Sequence, residues 1–577
     1  MQSLSRLKTS ALLIVFIGFL LYVKTIGNGF ILGDDTDQIL ENTQIRSLGN
    51  IPTFFTGSTY FRPESGLSFG LYYRPVMMVT FTVLHALMGT DPLIYHLLQI
   101  TLHIATALVL LLLLRALFPK HRLLALFLSL IYVVHPGVSE AVLFVSAIQD
   151  VMYMLFGLSA IFLLTKKETL GQRPGTILIT FLLLLTLFAK ETGVVFLLLA
   201  VSFVFIWQKK QLKKIIIVSG VTLLIYAIFR FGIAAIGFGE ASIARIGQAN
   251  FTTRLLNIPM ILTHFVRLFI FPKTLEVHQS WLITSFSFSE VILPLLLVFS
   301  ISLCLFFVGR KIHMIRRREF PLFVFFLIWT LLGILPHVHL IPLDVTFVER
   351  WFVLPLVGIL GLLGCGIVYY QKYFRAQKLW LVICIVILGL LSVRTFMRIA
   401  DWHDSETLFR HDLQTAKESY YVENLYGSLL IQEGRIDEAE AYVTASLTTY
   451  PFLSNLSNMA IIHMKKGDWV GAESYFEQSL QKRAIYPQIV NYVNFLVFVK
   501  KDYEKASDVI NKYLPLYPKS GALWMAYALS QHYLGLTTEA LGSAQMARTL
   551  MDTSLTREIE DALVTGREPE VERFLAY

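Results

Sequence analysis

The chain is poor in charge and almost free of cysteine. Asp, Glu, Lys and Arg make up 15% of its 577 residues, and three residues are cysteine. A soluble protein of this size carries about 25% charged residues, so the composition argues against a wholly soluble chain. Cys304, Cys365 and Cys384 all lie inside apolar runs. That placement favours small buried hydrophobic residues over a disulfide framework or a zinc site.

Apolar residues are abundant instead, at 55% of the chain with a mean hydropathy of +0.62. Up to about Val393 they form runs of about 20 residues, the length that spans a bilayer. From Arg398 onward the charge density rises and the long runs stop. The pattern predicts a membrane domain, a connector and a water-soluble domain, over residues 1–397, 398–419 and 420–577.

Eleven apolar runs predict membrane spans, beginning near residues 10, 95, 122, 148, 174, 192, 214, 288, 320, 349 and 378. The first run follows Arg6 and Lys8 and has no clear small-residue cleavage site, which favours an uncleaved signal anchor. Two further segments, 74–88 and 257–271, are predicted to be amphipathic helices in the outer interface. If one of them spans the membrane instead, the C-terminal tail lies on the opposite side, and if both span, the tail stays outside.

Basic residues cluster in alternate loops, at 115–122, 166–173, 209–214, 310–318 and 372–378. By the positive-inside rule these loops and the N-terminus are cytoplasmic. An odd number of spans then places the C-terminal tail outside, in the periplasm of a bacterium or the lumen of the endoplasmic reticulum of a eukaryote. The same loops explain the net charge of +9, so no nucleic-acid partner is expected.

A short motif recurs four times in the soluble part. Each copy begins with Gly or Lys and ends with Ala five residues later, at Gly434–Ala439, Gly467–Ala472, Lys501–Ala506 and Gly535–Ala540. The alanines are spaced 33, 34 and 34 residues apart, which is the period of tetratricopeptide repeats. The motif predicts an α-solenoid of about four units from Tyr420 onward. Such arrays bind protein segments on a concave surface.

Polar residues of the membrane domain gather at the predicted outer ends of the spans. They are Asp34, Asp35, Asp37, Arg74, His135, Glu140, Asp150, Lys190, Glu191, His337, His339, Asp344, Glu349 and Arg350. Charged groups at membrane depth are costly and face a cavity or a partner. Their shared side predicts an active site in the outer leaflet.

Two chemical roles suit these residues. Asp34 or Asp35 is a candidate general base that takes a proton from a hydroxyl group. Arg74, Lys190 and Arg350 are candidates for holding a phosphate. A base beside bound phosphate at a lipid boundary suits group transfer from a lipid phosphate to an external acceptor.

Each residue also has a simpler structural explanation. The Asp34–Asp35 pair is typical of a solvated turn or a helix cap. His135 precedes a proline and is typical of a span terminus. Lys190 with Glu191, and Glu349 with Arg350, are typical of local ion pairs between neighbours. A role in function depends on the side that these residues share.

The order of the motifs resembles the family of transmembrane O-mannosyltransferases with tetratricopeptide repeats, in a bacterial-sized form. The family belongs to the GT-C glycosyltransferases. The matching positions are Phe30, Asp34-Asp35, Asn42, Tyr73-Arg74-Pro75, Tyr95-His96, Leu102-His103, the 135–142 segment, Ala189-Lys190-Glu191, Val348-Glu349-Arg350, Leu354-Pro355, Asp401-Trp402, Ser405-Glu406 and Leu408-Phe409.

The resemblance implies an all-α GT-C bundle of about eleven spans followed by the repeat domain. It implies an inverting transfer of a sugar, mannose in the family, from a polyprenyl- or dolichyl-phosphate donor to Ser or Thr hydroxyls of proteins. The catalytic base falls on Asp34, with Asp35 beside it. From the positions of the residues themselves we expect the donor and substrate contacts at Arg74, His135, Glu140, Lys190, Glu191, Glu349 and Arg350. No cofactor is expected, and the sequence leaves open a divalent metal near Asp34 and Asp35.

Two other functions fit the same sequence. The acceptor of the sugar is a lipid or an envelope polysaccharide in one of them. In the other, the membrane domain is only an anchor and the repeats form a non-enzymatic scaffold for protein partners. The repeats argue against the first alternative, and the polar outer ends of the spans argue against the second.

Overall fold

The computed structural model describes residues 6–62, 67–166, 168–237, 244–317, 319–370, 377–415 and 419–571. Parts of three predicted basic loops, at 167, 318 and 371–376, lie outside the described residues, as do 416–418 of the predicted connector. The chain divides into two compact units. The first comprises Met1–Asp35, Ile45–Thr59 and Leu71–Ser419, and the second comprises Thr36–Gln44, Tyr60–Gly70 and Tyr420–Tyr577.

The first unit is helical. Its α-helices are Leu7–Tyr22, Pro75–Met88, Pro92–Leu117, Arg122–Val134, Glu140–Leu143, Ile148–Leu164, Arg173–Ala189, Val194–Trp207, Leu212–Ala227, Arg245–Gln248, Phe251–Ile270, Leu293–Ile315, Phe320–Ile334, Val353–Tyr370, Gln377–Asp401 and Ser405–Thr415. Short 3-10 or π-helical turns adjoin many of them, at Val23–Gly27, Leu48–Phe55, Pro136–Val138, Val145–Ala147, Glu191–Gly193, Lys209–Gln211, Ile228–Ile233, Phe288–Ile292, Leu335–His337 and Glu349–Phe352.

Within the described part of the chain, nine helices are long and apolar enough to cross a membrane. They are Leu7–Gly27, Pro92–Leu117, Val145–Leu164, Lys209–Ile233, Phe251–Ile270, Phe288–Ile315, Phe320–His337, Glu349–Tyr370 and Leu379–Asp401. The protein is therefore an all-α, multi-pass membrane protein, as the apolar runs predict.

The helices match the predicted spans with two differences. A helix lies at each of the eleven predicted positions, but three are shorter than 18 residues: Arg122–Val134, Arg173–Ala189 and Glu191–Trp207. One of the segments predicted to lie in the interface forms a single helix, Phe251–Ile270, that is long enough to cross. Pro259 lies inside it without breaking it. The other, Pro75–Met88, is a short helix of 14 residues.

The second unit pairs helices in succession along the chain. Its α-helices are Tyr420–Gln432, Ile436–Thr449, Leu453–Lys465, Trp469–Lys482, Tyr486–Asn494, Tyr503–Tyr513, Gly521–Tyr533, Thr537–Leu550 and Ser554–Thr565, with shorter turns at Thr36–Leu40, Phe495–Lys500 and Leu514–Leu516. Two short antiparallel strands, Tyr60–Arg62 and Leu67–Phe69, pair Tyr60 with Phe69.

The recurring motif marks the turn between the helices of each pair. Gly434, Gly467 and Gly535 have φ angles of +76°, +79° and +80°, and Lys501 occupies the same place with φ +58°. The four motif alanines are fully buried. The Oγ atom of Ser446 donates to the Tyr420 carbonyl at 2.6 Å, and Ser479, 33 residues later, donates to Leu453 at 2.7 Å. The structure thus repeats with the sequence, while the assignment to tetratricopeptide repeats stays a prediction.

The turn positions predict two stability changes of opposite sign. A side chain in the left-handed region costs about 1–2 kcal/mol, so Gly467→Ala is expected to weaken its helix pair by about 1 kcal/mol. Lys501→Gly is expected to stabilise the third pair by a similar amount. Hydrogen exchange of the 453–482 and 486–513 amides in the full-length protein measures both. Gly542→Ala lies inside a helix with open space around its Cα and should stabilise that helix. A loss of stability in this variant would contradict the prediction.

Candidate active site at one end of the first unit

The acidic pair follows a tight turn at Gly33, which has φ +115°. Asp35 is fully buried, and both of its oxygens accept backbone N–H groups: Oδ2 from Ile31 at 2.9 Å and Oδ1 from Ser146 at 2.7 Å. This carboxyl ties the first loop to the start of the Val145–Leu164 helix. Asp34 is only partly buried. Asp34 is therefore the more exposed of the two predicted catalytic acids, and their roles in catalysis stay a prediction.

Burial raises the pKa of Asp35 to about 7, while the backbone hydrogen bonds from Ile31 and Ser146 act in the opposite direction. The folded protein therefore retains a proton between about pH 4 and pH 7 that the unfolded chain has released. The stability that this group contributes is complete below about pH 4 and is lost as the pH rises to about 7.

Asp35→Asn is expected to remove this pH dependence, because asparagine stays neutral. The unfolding temperature of the wild type, relative to that of the variant, should fall as the pH rises from 4.5 to 7.5. Thermal unfolding of both proteins in one detergent measures the difference. Parallel curves for the wild type and Asp35→Asn would contradict the prediction.

Lys190 forms a buried ion pair with Asp150. Its Nζ lies 2.5 Å from Asp150 Oδ1, and the two side chains are 9% and 0% exposed. Lys190 is the first residue after the Arg173–Ala189 helix, and Asp150 lies in the first turn of Ile148–Leu164. Burial lowers the pKa of Lys190, and the neighbouring Arg74 and Arg350 act in the same direction, against Asp150. The expected local pair of Lys190 with Glu191 is wrong.

Arg350 and Glu140 form a second pair across a sequence separation of 210 residues. Glu140 is fully buried; its Oε2 accepts the Arg350 backbone N–H at 2.7 Å and its Oε1 accepts from the Arg350 guanidinium. The guanidinium also lies 5.8 Å from the centre of the Phe144 ring. Asp34 and Asp150 are the other acids that act electrostatically on Arg350. Arg350 therefore lies near the predicted base.

A third group surrounds Glu191 with two arginines. Arg74 Nε lies 3.3 Å from Glu191 Oε2, and Arg230 Nη1 lies 3.4 Å from Oε1. The backbone N–H of Tyr73 donates to Oε1 at 2.9 Å. Arg74 also lies 4.3 Å from the centre of the Tyr72 ring, a cation–π geometry. Two guanidinium groups on one carboxylate leave this group with net positive charge.

Glu349 does not pair with its neighbour Arg350. It is almost fully buried and lies 3.4 Å from Arg398, which also lies 3.4 Å from Asp401 and from Asp412. Asp412 in turn accepts the Val277 backbone N–H at 2.7 Å. The predicted local pair is therefore wrong. Glu349 belongs to a buried ion-pair network with Arg398, in the same short turn as Arg350, and its predicted contact with the substrate stays a prediction.

His135 is likewise held by the protein. Its Nδ1 accepts the Gly137 N–H at 3.1 Å, and its Nε2 lies 3.3 Å from the Phe269 carbonyl. Because Nδ1 accepts a hydrogen bond, the ring hydrogen is on Nε2, which donates it to the Phe269 carbonyl. Burial lowers the pKa of His135 to about 4. A neutral imidazole with both nitrogens in hydrogen bonds to the backbone fits a structural role at the end of a helix better than a role in binding an anionic phosphate.

We use the name polar cluster for Asp34, Glu140, Asp150, Lys190 and Arg350 together with the Arg74–Glu191–Arg230 group. Arg230 is the member that the sequence reasoning missed. Its signal was a single arginine within the apolar run 228–233, because an unneeded charge at membrane depth is costly. Tyr72, whose hydroxyl donates to Asp344, was also missed. Among the described residues, no three His, Cys, Asp or Glu side chains are grouped to hold a metal ion.

Comparison with known proteins gives a consistent set of relatives. A protein O-mannosyl-transferase of Caenorhabditis elegans is 22% identical over 452 residues, covering 74% of this chain and 61% of the worm protein. Protein O-mannosyl-transferase TMTC3 of Homo sapiens is 24% identical over 73% of this chain and 49% of its own length. The chain is similar to protein O-mannosyl-transferases.

A shorter part of the chain matches another relative at higher identity than these two. Protein O-mannosyl-transferase Tmtc1 of Drosophila melanogaster is 30% identical over 186 residues, which are 32% of this chain and 21% of the fly protein. No protein-family model matches the chain. The chain thus aligns with about half the length of the longer-matching O-mannosyl-transferases, and the similarity agrees with the resemblance drawn from its motifs.

Proposed function

We propose that the protein is an inverting glycosyltransferase of GT-C architecture and bacterial type. It transfers a sugar, mannose in this proposal, from a polyprenyl- or dolichyl-phosphate donor to Ser or Thr hydroxyls of proteins. The observation that supports the proposal is the polar cluster. Lys190 lies within electrostatic range of Arg74 and Arg350, Arg230 shares Glu191 with Arg74, and the partly buried Asp34 acts on Arg350. The names of the similar proteins supply the class of reaction.

Asp34 is the base in this mechanism. It takes the proton of the acceptor hydroxyl as the hydroxyl oxygen forms a bond to the sugar C1. The bond between C1 and the phosphate oxygen breaks on the opposite face, which inverts the configuration. The leaving group is the lipid phosphate, and its added negative charge is stabilised by the cations of the cluster.

The ion pairs suit this task because they hold the cations in place before the donor binds. A guanidinium has five N–H donors, so Arg350 can contact both Glu140 and a phosphate oxygen. The side chains of Arg350, Arg74 and Lys190 are 15%, 10% and 9% exposed. Arg350 is therefore the first of the three to reach the donor. Cations fixed in a partly desolvated site stabilise developing charge without reorganisation.

The repeat unit supplies the protein acceptor in this proposal. Its predicted solenoid is of a kind that binds peptide segments, and by the positive-inside prediction it lies outside the membrane. No metal or other cofactor is part of the mechanism, since the substrate itself carries the activated sugar.

The test is sugar transfer by the purified full-length protein in detergent. The donors are polyprenyl-phosphate-linked mannose, glucose and galactose, each offered with a library of Ser/Thr peptides and with lipid acceptors. Mannose on peptide is the expected product, detected by mass spectrometry. Sugar found only on lipid would show that the acceptor is a lipid and not a protein. If intact protein neither binds nor uses any of these donors, the transferase is excluded and the scaffold alternative stands.

A further inference from the structure

A large apolar groove lies in the first unit, away from the polar cluster. It has a volume of about 1290 Å³ and lies between the helices Leu7–Tyr22, Arg122–Val134 and Gln377–Asp401. Its walls are made by side chains such as Leu13, Phe127, Leu381 and Ile385. Small-molecule pockets have volumes of about 300–1,000 Å³, so this groove has room for a lipid with long chains.

One end of the groove is basic. Lys120, His121 and Arg122 line it there, and both Lys120 and Arg122 are exposed. Glu319 is the acid that interacts electrostatically with His121, and it forms an ion pair with Arg316 at 3.3 Å. The combination is an apolar channel with two exposed cations at its mouth. It is complementary to an anionic headgroup on apolar chains.

The basic end is far from the polar cluster. The Arg122–Val134 helix separates Lys120 and Arg122 from His135, and its 13 residues span about 18–20 Å at 1.5 Å per residue. A phosphate held by Lys120 and Arg122 is therefore out of reach of Arg350 and Lys190. The occupant of this mouth is a different molecule from a donor whose phosphate reacts beside Asp34.

We infer that this groove is a binding site for an anionic glycerophospholipid, with its phosphate between Lys120 and Arg122 and its acyl chains between the three helices. By the positive-inside prediction, this lipid belongs to the cytoplasmic leaflet. The bound chains fill the space beside Gln377–Asp401, a helix with many exposed apolar side chains, among them Leu379, Val382, Leu390 and Val393. The lipid is a structural ligand of the membrane domain.

A lipid could also lie in the groove in the reverse direction, with its headgroup at the opposite end, and the experiment below distinguishes the two directions. Lys24 Nζ lies 5.6 Å from the centre of the Phe396 ring, and Phe396 lines the groove. A lipid bound in the reverse direction would place its phosphate at this single cation. The two cations at Lys120 and Arg122 favour the first direction.

Native mass spectrometry of the full-length protein in mild detergent tests the inference. The protein is equilibrated with equal amounts of phosphatidylglycerol and phosphatidylcholine of different mass. Wild type is expected to retain one phosphatidylglycerol. Lys120→Gln with Arg122→Gln should weaken that binding roughly thirty-fold, about fivefold for each charge near an anionic lipid. The matched control, Lys209→Gln with Lys210→Gln, removes two exposed lysines of another basic loop and should change nothing.

A groove-filling variant tests the position of the chains. Gly389 lines the groove and has no atom within 4 Å of an added Cβ, so Gly389→Trp fits the helix and occupies the channel. It should abolish phosphatidylglycerol binding. Equal retention of the two lipids, loss in Lys24→Gln instead of the Lys120/Arg122 variant, or retention of a polyprenyl phosphate in place of the phospholipid would each overturn the inference. Sugar transfer does not enter this measurement, so its outcome is independent of the proposed activity.

Discussion

Asp34→Asn is expected to lower sugar transfer roughly 10²- to 10⁴-fold, the range that a positioned general base contributes. Asparagine keeps the shape of the side chain but cannot take the acceptor proton. Asp34 is the partly buried member of the acidic pair, while Asp35 has both oxygens committed to backbone N–H groups. The variant should therefore fold normally and bind the donor with unchanged affinity. Initial rates at saturating donor and peptide measure the effect on the chemical step.

Two neighbouring variants serve as controls for this result. Asp37→Asn lies in the same loop and should retain wild-type transfer. Asp35→Asn should lower stability and activity together, because its amide group meets one of the two N–H donors that the carboxylate accepted. If Asp34→Asn keeps more than about a tenth of wild-type transfer, while Asp35→Asn is folded and inactive, the base assignment is reversed.

Lys190→Met is expected to destabilise the protein by about 3–5 kcal/mol, the effect of removing one partner of a buried ion pair. The substitution leaves Asp150, which is fully buried, without its cation. The double variant Lys190→Met with Asp150→Leu removes both charges and should recover most of the lost stability. Unfolding by denaturant in mixed micelles measures the three proteins, and Lys209→Met, at an exposed lysine, is the control. Equal stability of wild type and Lys190→Met would contradict the structural role.

Sugar transfer by the double variant then separates the two roles of Lys190. If the lysine only balances Asp150, the recovered fold should recover transfer. If it also stabilises the leaving phosphate, as proposed, the double variant should be stable and transfer sugar at least tenfold more slowly, since a single charged contact to a phosphate contributes on the order of 1.5–3 kcal/mol. Arg350→Lys keeps the charge and loses the planar donor geometry. Its rate of sugar transfer can be compared directly with that of the double variant, so the contributions of the two cations are measured in the same assay.

The helical content and the division of the chain could be predicted from local patterns. Apolar runs of span length mark helices such as Pro92–Leu117 and Phe288–Ile315, because a bilayer demands continuous hydrophobic surface. The motif period marks Gly434, Gly467 and Gly535, whose left-handed backbone the structure confirms. Each of these signals is contained in a short stretch of sequence, so no knowledge of packing is needed to detect it.

The ends of helices were harder to predict. Arg122–Val134 has 13 residues, fewer than a membrane span needs, and it ends where His135 accepts from Gly137 and begins a new turn. The Phe251–Ile270 helix begins six residues before the predicted interface segment, where the Asn250 side chain caps it by accepting from Thr253. A single capping hydrogen bond decides such an end, and hydrophobicity does not report it.

By itself the sequence indicated most of the charged residues that gather at one end of the membrane helices, since charged groups are excluded from the apolar interior, but it did not indicate Arg230. It did not determine which of them pair. Lys190 and Glu191, adjacent in sequence, have different partners, Asp150 and Arg74, and Glu140 meets Arg350 across 210 residues. Neighbouring residues at a helix junction point in different directions, so partners are set by the packing of distant helices. The tertiary structure alone therefore distinguishes the buried Asp35 from the accessible Asp34 and brings Arg230 to Glu191.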